Sequence, residues 1–349
     1  MKVLIAGLGG IGQRHIRNLR TILGPQVQIT AYDVRRLMPV VTADLQIKTG
    51  SNVEDEYGIQ VVDDLETALN REPDAVLVCN PSSRHMEVAL AAAQAGAHLF
   101  IEKPLSNSYY GVKELIELVQ RQRLVSLVGY QMRFHPLLQR LRALLQQNAV
   151  GQILAVRAEV GEYMPGWHKY EDYRKIYASR RELGGGVILS QIHELDYLYW
   201  LFAFPRRIFA LGGHLSRLEI DVEDTADILM ECEMQGQRVP VHVHLDYLQQ
   251  PPSRTCHVIG DAGQILLDLR LASLSLFDGS GNLAERKSFA SFERNQLFLD
   301  EMSHFLACLR NDDSPQVPVH VGAQSLRMAL AAKESMATGK AIDMEEWLP

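Results

Sequence analysis

The chain has 349 residues, 47% hydrophobic and 22% charged, which is enough to bury two sizeable cores and excludes a disordered polypeptide. A formal charge of −7 argues against nucleic acid as the main partner, and no apolar run is long enough to cross a membrane. Four scattered cysteines without a C-x-x-C pair, Cys79, Cys232, Cys256 and Cys308, favour free thiols over a disulfide framework or metal site. Together with a first strand too close to residue 1 to leave room for a leader, they place the expected compartment in the cytoplasm.

Val3 to Ala6 reads as a short apolar strand. Gly7, Gly9 and Gly12 follow as G-x-G-x-x-G, with Gly10 and Ile11 inside the turn, and a helical pattern runs on to Leu23. Strand, glycine turn and helix in that order form a dinucleotide-binding fingerprint. The glycines permit a tight turn, close backbone approach to a pyrophosphate, and helix–strand packing. The helix start then supplies free N–H groups and a favourable dipole. A second strand over Val27–Tyr32 ends at Asp33, 21 residues past Gly12, where a carboxylate accepts from ribose hydroxyls and repels a 2′-phosphate. NAD is therefore the favoured cofactor; Arg35 and Arg36 just beyond can pair with a phosphate, so NADP stays open.

A short helix is expected around Met38–Lys48, then a loop, a strand at Val61-Val62 and a helix over Leu65–Arg71. The apolar strand Asp74–Cys79 leads into Asn80-Pro81-Ser82-Ser83 and a helix to Ala95, capped by Gly96. Strand His98–Ile101 leads into Glu102-Lys103-Pro104, a helix covers Tyr109–Arg121, and Val125–Gly129 reads as the sixth strand. Such alternation indicates a doubly wound parallel sheet, α/β in class. Ligands in such sheets sit beyond the carboxyl ends of the strands. Gly7–Gly12, Asp33, Asn80, Pro81, Ser82, Glu102, Lys103 and Arg133 all fall at that edge, which makes them cofactor-binding candidates.

Beyond residue 130 the pattern changes. His135-Pro136 opens an amphipathic helix to Gln147. Strand-like runs follow at Gly151–Tyr163, Arg206–Ser216, Asp224–Met234, Val239–Tyr247, Ser253–Gly260, Gly263–Leu269 and Ala272–Phe277. One long helix is expected within Gly184–Phe204, and others at Gln296–Arg310 and Gly322–Thr338. The second domain is thus α+β with a large, open, mostly antiparallel sheet, and the division expected is 1–127 and 128–349. An open sheet exposes one face that a second copy can cover, giving a homodimer or homotetramer.

Two groups carry candidate chemistry. Lys103, beside Pro104 at a strand end, can donate to a substrate oxygen and stabilise a developing alkoxide. His193, after Gly184-Gly-Gly186, can take a hydroxyl proton as a neutral imidazole. Asp196 shares its helix face at i+3 and can fix its tautomer or touch substrate. The segment Tyr163 to Arg174, with Trp167, His168, Tyr170, Asp172 and Tyr173, interleaves aromatic and polar groups as carbohydrate faces require; packing of a domain interface is the other reading. Arg133 binds an anion or braces the domains.

These pieces together resemble the Gfo/Idh/MocA oxidoreductases. The glycine fingerprint, Asn80-Pro81 with His85, Glu102-Lys103-Pro104, Arg133-Phe134, and Gly184-Gly-Gly186 through His193 fall in that family's order along essentially the whole chain. The resemblance implies a Rossmann domain followed by an open-sheet domain, catalytic roles for Lys103 and His193, and a place for His85 near the cofactor. Ser190 stands where many members have aspartate, so the usual carboxylate is missing or comes from Asp196 or Glu194. Glu162 to His168, with Asp172-Tyr173-Arg174, is similar to a subgroup linked to sialic-acid-type and surface-sugar biosynthesis. The implied activity is NAD(P)-dependent hydride exchange with a hydroxyl or carbonyl of a sugar, cyclitol or nucleotide-sugar. Two alternatives stand beside it: transient oxidation by tightly held NAD during elimination or hydrolysis, and a non-catalytic dinucleotide and sugar sensor.

Overall fold

The computed structural model describes residues 1–35, 38–167, 170–289 and 291–349. Arg36 and His168 lie outside the described residues. In the N-terminal half β1 (Lys2–Ala6), β2 (Gln28–Tyr32), α1 (Gly10–Leu23) between them, β5 (Gln60–Val62), β6 (Ala75–Val78), β7 (His98–Glu102) and β8 (Ser126–Gly129) build the frame. The six strands run parallel in the order β5-β2-β1-β6-β7-β8, which is the doubly wound arrangement expected. The central strands β1, β6, β7 and β8 are near-continuous apolar runs because helices cover both faces. Those helices include α3 (Leu65–Leu69), α4 (His85–Gln94) and α5 (Val112–Gln122).

Residues 38–48 correct the expected helix. They form the hairpin of β3 (Pro39–Val41) and β4 (Ile47–Asn52), followed by the short helix α2 (Val53–Tyr57) instead of a loop. Val40, Val41, Thr42, Ile47 and Thr49 are β-branched, and Leu45 takes a left-handed φ of 61° in the connecting turn. Gln13 of α1 clamps this hairpin: its amide donates to Pro39 O, and its Oε1 accepts from the Val41 N–H.

The second sheet has nine strands, ordered β16-β15-β14-β13-β9-β12-β11-β10-β17. Its members are β9 (Ile153–Gly161), β10 (Pro205–Gly213), β11 (Thr225–Met234), β12 (Gln237–Asp246), β13 (Ser253–Gly260), β14 (Gly263–Asp268), β15 (Ser273–Asp278), β16 (Leu283–Ser288) and β17 (Ile342–Asp343). All pairs are antiparallel except β9 with β12. One face carries α6 (Pro136–Gln146), α7 (Val187–Ser190), α8 (His193–Leu201) and α10 (Val319–Thr338). The other face alternates out to solvent. The edge strands β16 and β17 carry no readable alternation: one is half charged, the other two residues long.

The chain returns to the first domain at its end. α9 (Arg294–Leu309) packs on α1, and the Val128 N–H donates to Val317 O at 2.8 Å. The expected division at 127/128 runs through β8, whose last residue is Gly129.

Candidate active site

The sheet order reverses between β1 and β6, and the loops after these strands flank a crevice at their carboxyl ends. Gly12 is required there, because a Cβ would sit 2.0 Å from Gly7 O. A Cβ on Gly9 meets nothing within 4 Å, so the backbone before α1 is open to a ligand. The first-turn N–H groups of α1 have no intrahelical acceptor. This cradle fits a dinucleotide pyrophosphate. Asp33 at the end of β2 is pinned: Oδ2 accepts from the Leu8 N–H at 2.8 Å, and Oδ1 accepts from Arg35 N at 2.9 Å. The Arg35 guanidinium folds back onto the same carboxylate.

Asn80 follows β6, its Oδ1 buried and without a hydrogen-bond partner among the described residues. Ser82 crosses to the second domain, donating to Gly184 O at 3.1 Å. Gly184 takes φ 83°, and a Cβ there would lie 2.1 Å from Ser82 Oγ, so only glycine permits this approach. His85 holds the two strand-end loops together instead of facing the crevice. Its ring nitrogens lie 2.7 Å from Asn80 O and 2.9 Å from Pro104 O, and burial lowers its basicity.

Glu102, Lys103 and Pro104 end β7, with a cis bond at Lys103-Pro104. Glu102 is buried, and its Oε1 lies 2.7 Å from His15 Nε2. Lys103 Nζ donates to Ser190 O at 2.9 Å and stands 3.5 Å from the Tyr177 hydroxyl. That contact explains why the helix expected through Gly184–Phe204 is broken. The Ser190 carbonyl, which an unbroken helix gives to the Glu194 N–H, is taken by Lys103. Glu194 N bonds Gln191 O instead, at 3.3 Å. The chain therefore forms α7, a turn at 191–192, and α8.

His193 opens α8, buried, with its ring edge-on to Tyr130 at 5.9 Å between centroids. Burial, with the charges of Lys103, Arg254 and Arg294, holds its basicity well below that of free histidine. The imidazole is thus neutral near pH 7 and able to accept a proton. The carboxylates on either side are committed elsewhere. Asp196 forms a buried two-point ion pair with Arg133 at 2.7 and 2.8 Å and accepts from Ser325 Oγ. Arg133 thereby ties the segment that follows β8 to α8. Glu194 is held by Arg254 at 2.7 and 3.1 Å. Ser190 is itself buried.

The segment at 163–174 divides. Trp167 packs edge-on against buried Tyr247 at 5.2 Å. Tyr163 is exposed. Tyr173 accepts from the Glu219 N–H, and Arg174 pairs with Asp172 and Glu219 on the surface. Among the described residues of this segment, Tyr170 reaches the cofactor cradle, its hydroxyl 3.0 Å from where a Cβ on Gly10 would lie. The sequence reading names Tyr170 only as part of the 163–174 segment, and does not name His15 or Tyr177 as members of the site. The position of His15 three residues past Gly12 was the one available signal.

The chain matches the family profile described as "Oxidoreductase family, NAD-binding Rossmann fold" over residues 1–130, and the GFO/IDH/MocA C-terminal domain over 138–266. It is 26% identical to a myo-inositol 2-dehydrogenase of Thermotoga maritima across 99% of both chains. It is 27% identical to a 2,7-anhydro-N-acetylneuraminate hydratase of Mediterraneibacter gnavus over 54% of this chain and 50% of that one. Its fold superposes on the WlbA dehydrogenase of Bordetella pertussis, solved with NADH and UDP-GlcNAcA, with a TM-score of 0.78 at 22% identity, covering 100% and 99% of the two chains. With the glycine cradle, the Lys103 turn and the buried histidine on one cleft, the chain belongs to the Gfo/Idh/MocA family and is an NAD-binding oxidoreductase.

Proposed function

We propose that this enzyme interconverts a secondary hydroxyl and a carbonyl on a sugar, cyclitol or nucleotide-sugar, with Lys103 and His193 as catalytic residues. The observation that carries the reading is the tether of Lys103 to Ser190 O, three residues before a histidine kept neutral by its surroundings. When bound, NAD supplies the two-electron acceptor or donor for the carbinol carbon. In oxidation the Lys103 ammonium donates to the substrate oxygen while His193 removes the hydroxyl proton; in reduction the proton returns. Gly7, Gly9, Gly10, Ile11, Gly12, Asp33 and Asn80 hold the cofactor, and Tyr170 closes over the cradle. Purified protein is screened with a sugar and cyclitol panel at the nicotinamide absorbance band. Lys103→Ala and His193→Ala are expected to lower turnover about 100-fold or more while NAD binding persists. Full turnover in both variants refutes the assignment.

The likeness to an anhydro-sialic acid hydratase supports a second reading, in which tightly held NAD is reduced and reoxidised within one cycle. Cofactor that survives gel filtration, with substrate consumed and no net absorbance change, favours it. The open sheet face supports a homodimer or homotetramer: Leu211, Leu229 and Leu266 are exposed on it. The four cysteines are free and buried, in keeping with a cytoplasmic enzyme. Among the described residues no helix is long and apolar enough to cross a membrane.

A further inference from the structure

The short turn Tyr177–Ser179 is seated on the Gly184–Gly186 turn, and its backbone has little freedom. The Gly186 N–H and the Tyr247 hydroxyl both donate to Ala178 O, at 3.0 and 3.3 Å. Ser179 Oγ donates to Ile176 O at 2.8 Å, and the Arg180 N–H to Tyr177 O at 3.2 Å. A Cβ on Gly185 would lie 2.5 Å from Tyr177 O and 2.6 Å from Ala178 O, so the two turns meet backbone to backbone. Ile176, Ala178 and Ser179 are buried on either side of Tyr177, which is itself half-buried. A rigid turn thus carries the Tyr177 hydroxyl to 3.5 Å from the Lys103 ammonium.

Both groups have a donor to spare. An ammonium carries three N–H groups and a phenol one O–H. One Lys103 N–H goes to Ser190 O at 2.9 Å, and a second is available to the Tyr177 oxygen. The third has no acceptor among the described residues, and neither has the O–H of Tyr177. A substrate oxygen about 2.8 Å from each group closes a triangle on the 3.5 Å side, with ordinary hydrogen-bond lengths to both. Two donors converging on one oxygen act most strongly while that oxygen carries developing charge.

We infer that Tyr177 is a further catalytic residue, its phenol bonding the reacting substrate oxygen beside the Lys103 ammonium. This inference rests on the reading above that Lys103 and His193 act on a substrate hydroxyl or carbonyl. No proton leaves Tyr177: the hydroxyl proton goes to His193 in oxidation and returns from it in reduction. The phenol and the ammonium stabilise the oxygen in both directions.

The test compares the wild type with Tyr177→Phe, which keeps the ring and removes the O–H. Oxidation is followed at the nicotinamide absorbance band with NAD and each of myo-inositol, D-glucose and UDP-N-acetylglucosamine, then with the rest of the panel. On a substrate that the wild type turns over, Tyr177→Phe is expected to lower kcat about tenfold or more, with KM and NADH affinity changed less than about twofold. A crystal structure of Tyr177→Phe is expected to keep Lys103 Nζ on Ser190 O. The inference is overturned if kcat is unchanged or if the loss falls on KM alone. It is overturned too if Lys103 leaves Ser190 in the variant, which makes Tyr177 a brace for the lysine. Full turnover in Tyr177→Phe, with turnover lost in Lys103→Ala, removes the second donor alone. Full turnover in both Lys103→Ala and His193→Ala, or no hydride transfer with any compound, removes the reading beneath it as well.

Discussion

His193 is the side chain whose charge state decides the chemistry, and burial sets that charge. Its lowered basicity predicts that the rate of oxidation shows no histidine inflection near pH 6.5 and keeps its acid limb well below that value. A pH profile of kcat/KM checks this; an inflection at 6.5 lost in His193→Ala contradicts it. The same burial acts on stability. His85, His135 and His193 all bind protons less readily folded than unfolded, with His135 pushed down to about 4. The unfolded chain therefore takes up protons first as pH falls below about 6.5. The contribution of these histidines is fully present above 6.5 and is lost as pH drops toward 4, on the order of 3 kcal/mol for His135 alone. His135 also caps α6, its Nδ1 accepting from the Leu137 N–H. Asparagine serves equally as a cap. His135→Asn is thus expected to flatten the fall in Tm between pH 7 and pH 5. Glu301 has the opposite sign: it is buried without a hydrogen-bond partner among the described residues, and burial raises its pKa. The unfolded carboxyl ionises first as pH rises above about 4.5, so stability is lost toward neutral pH. Glu301→Gln is expected to raise Tm at pH 8 more than at pH 5.

At the scale of elements, the site depends on two departures from regular structure: the break between α7 and α8 and the approach of Gly184 to Ser82. Gly184→Ala adds a Cβ into Ser82 Oγ in a left-handed backbone. It is expected to cost about 1–3 kcal/mol and to lower turnover with it. Asp196→Asn leaves Arg133 buried beside a neutral amide, and a loss of about 3–5 kcal/mol is expected in chemical denaturation. Both elements were only half legible in the amino-acid pattern. Gly184-Gly-Gly186 and His193 were visible as a glycine-led helix. The break was not, because its cause is a lysine 87 residues away in sequence. The hairpin at 39–52 replaces the helix expected around Met38–Lys48 for a simpler reason: β-branched residues flank a left-handed turn at Leu45. Arg133 and Asp196 are both candidates by residue type, but their pairing consumes both charges. No spacing rule could show that across 63 residues.

At the scale of the whole molecule, the nine-stranded sheet is covered by helices on one face and left open on the other. Along one register line the open face reads Phe209, Leu229, His242, Arg157, His257 and Leu266, a mixture of apolar and titratable groups. His242 and His244 both lie 3.0 Å from Asp227, and the bond to Asp246 leads those that push His244 up to about 9. Its contribution to stability is therefore present below about 6.5 and lost as pH rises through about 9. If a second copy covers this face, Leu229→Lys is expected to halve or quarter the mass seen by light scattering at neutral pH, with the fold intact by circular dichroism. An unchanged mass places the oligomer contact elsewhere or shows none.

The local order of residues determined the first domain almost entirely. Parallel strands buried on both faces must be apolar runs, the glycine turn must precede a helix, and both signals lie within a few residues of each other. It also determined which side chains merit attention, Lys103 and His193 above all. Only the tertiary structure decided which of those side chains are free. Desolvation and pairing are properties of neighbours brought from other parts of the chain: Ser190 O for Lys103, Asp196 for Arg133, Arg254 for Glu194.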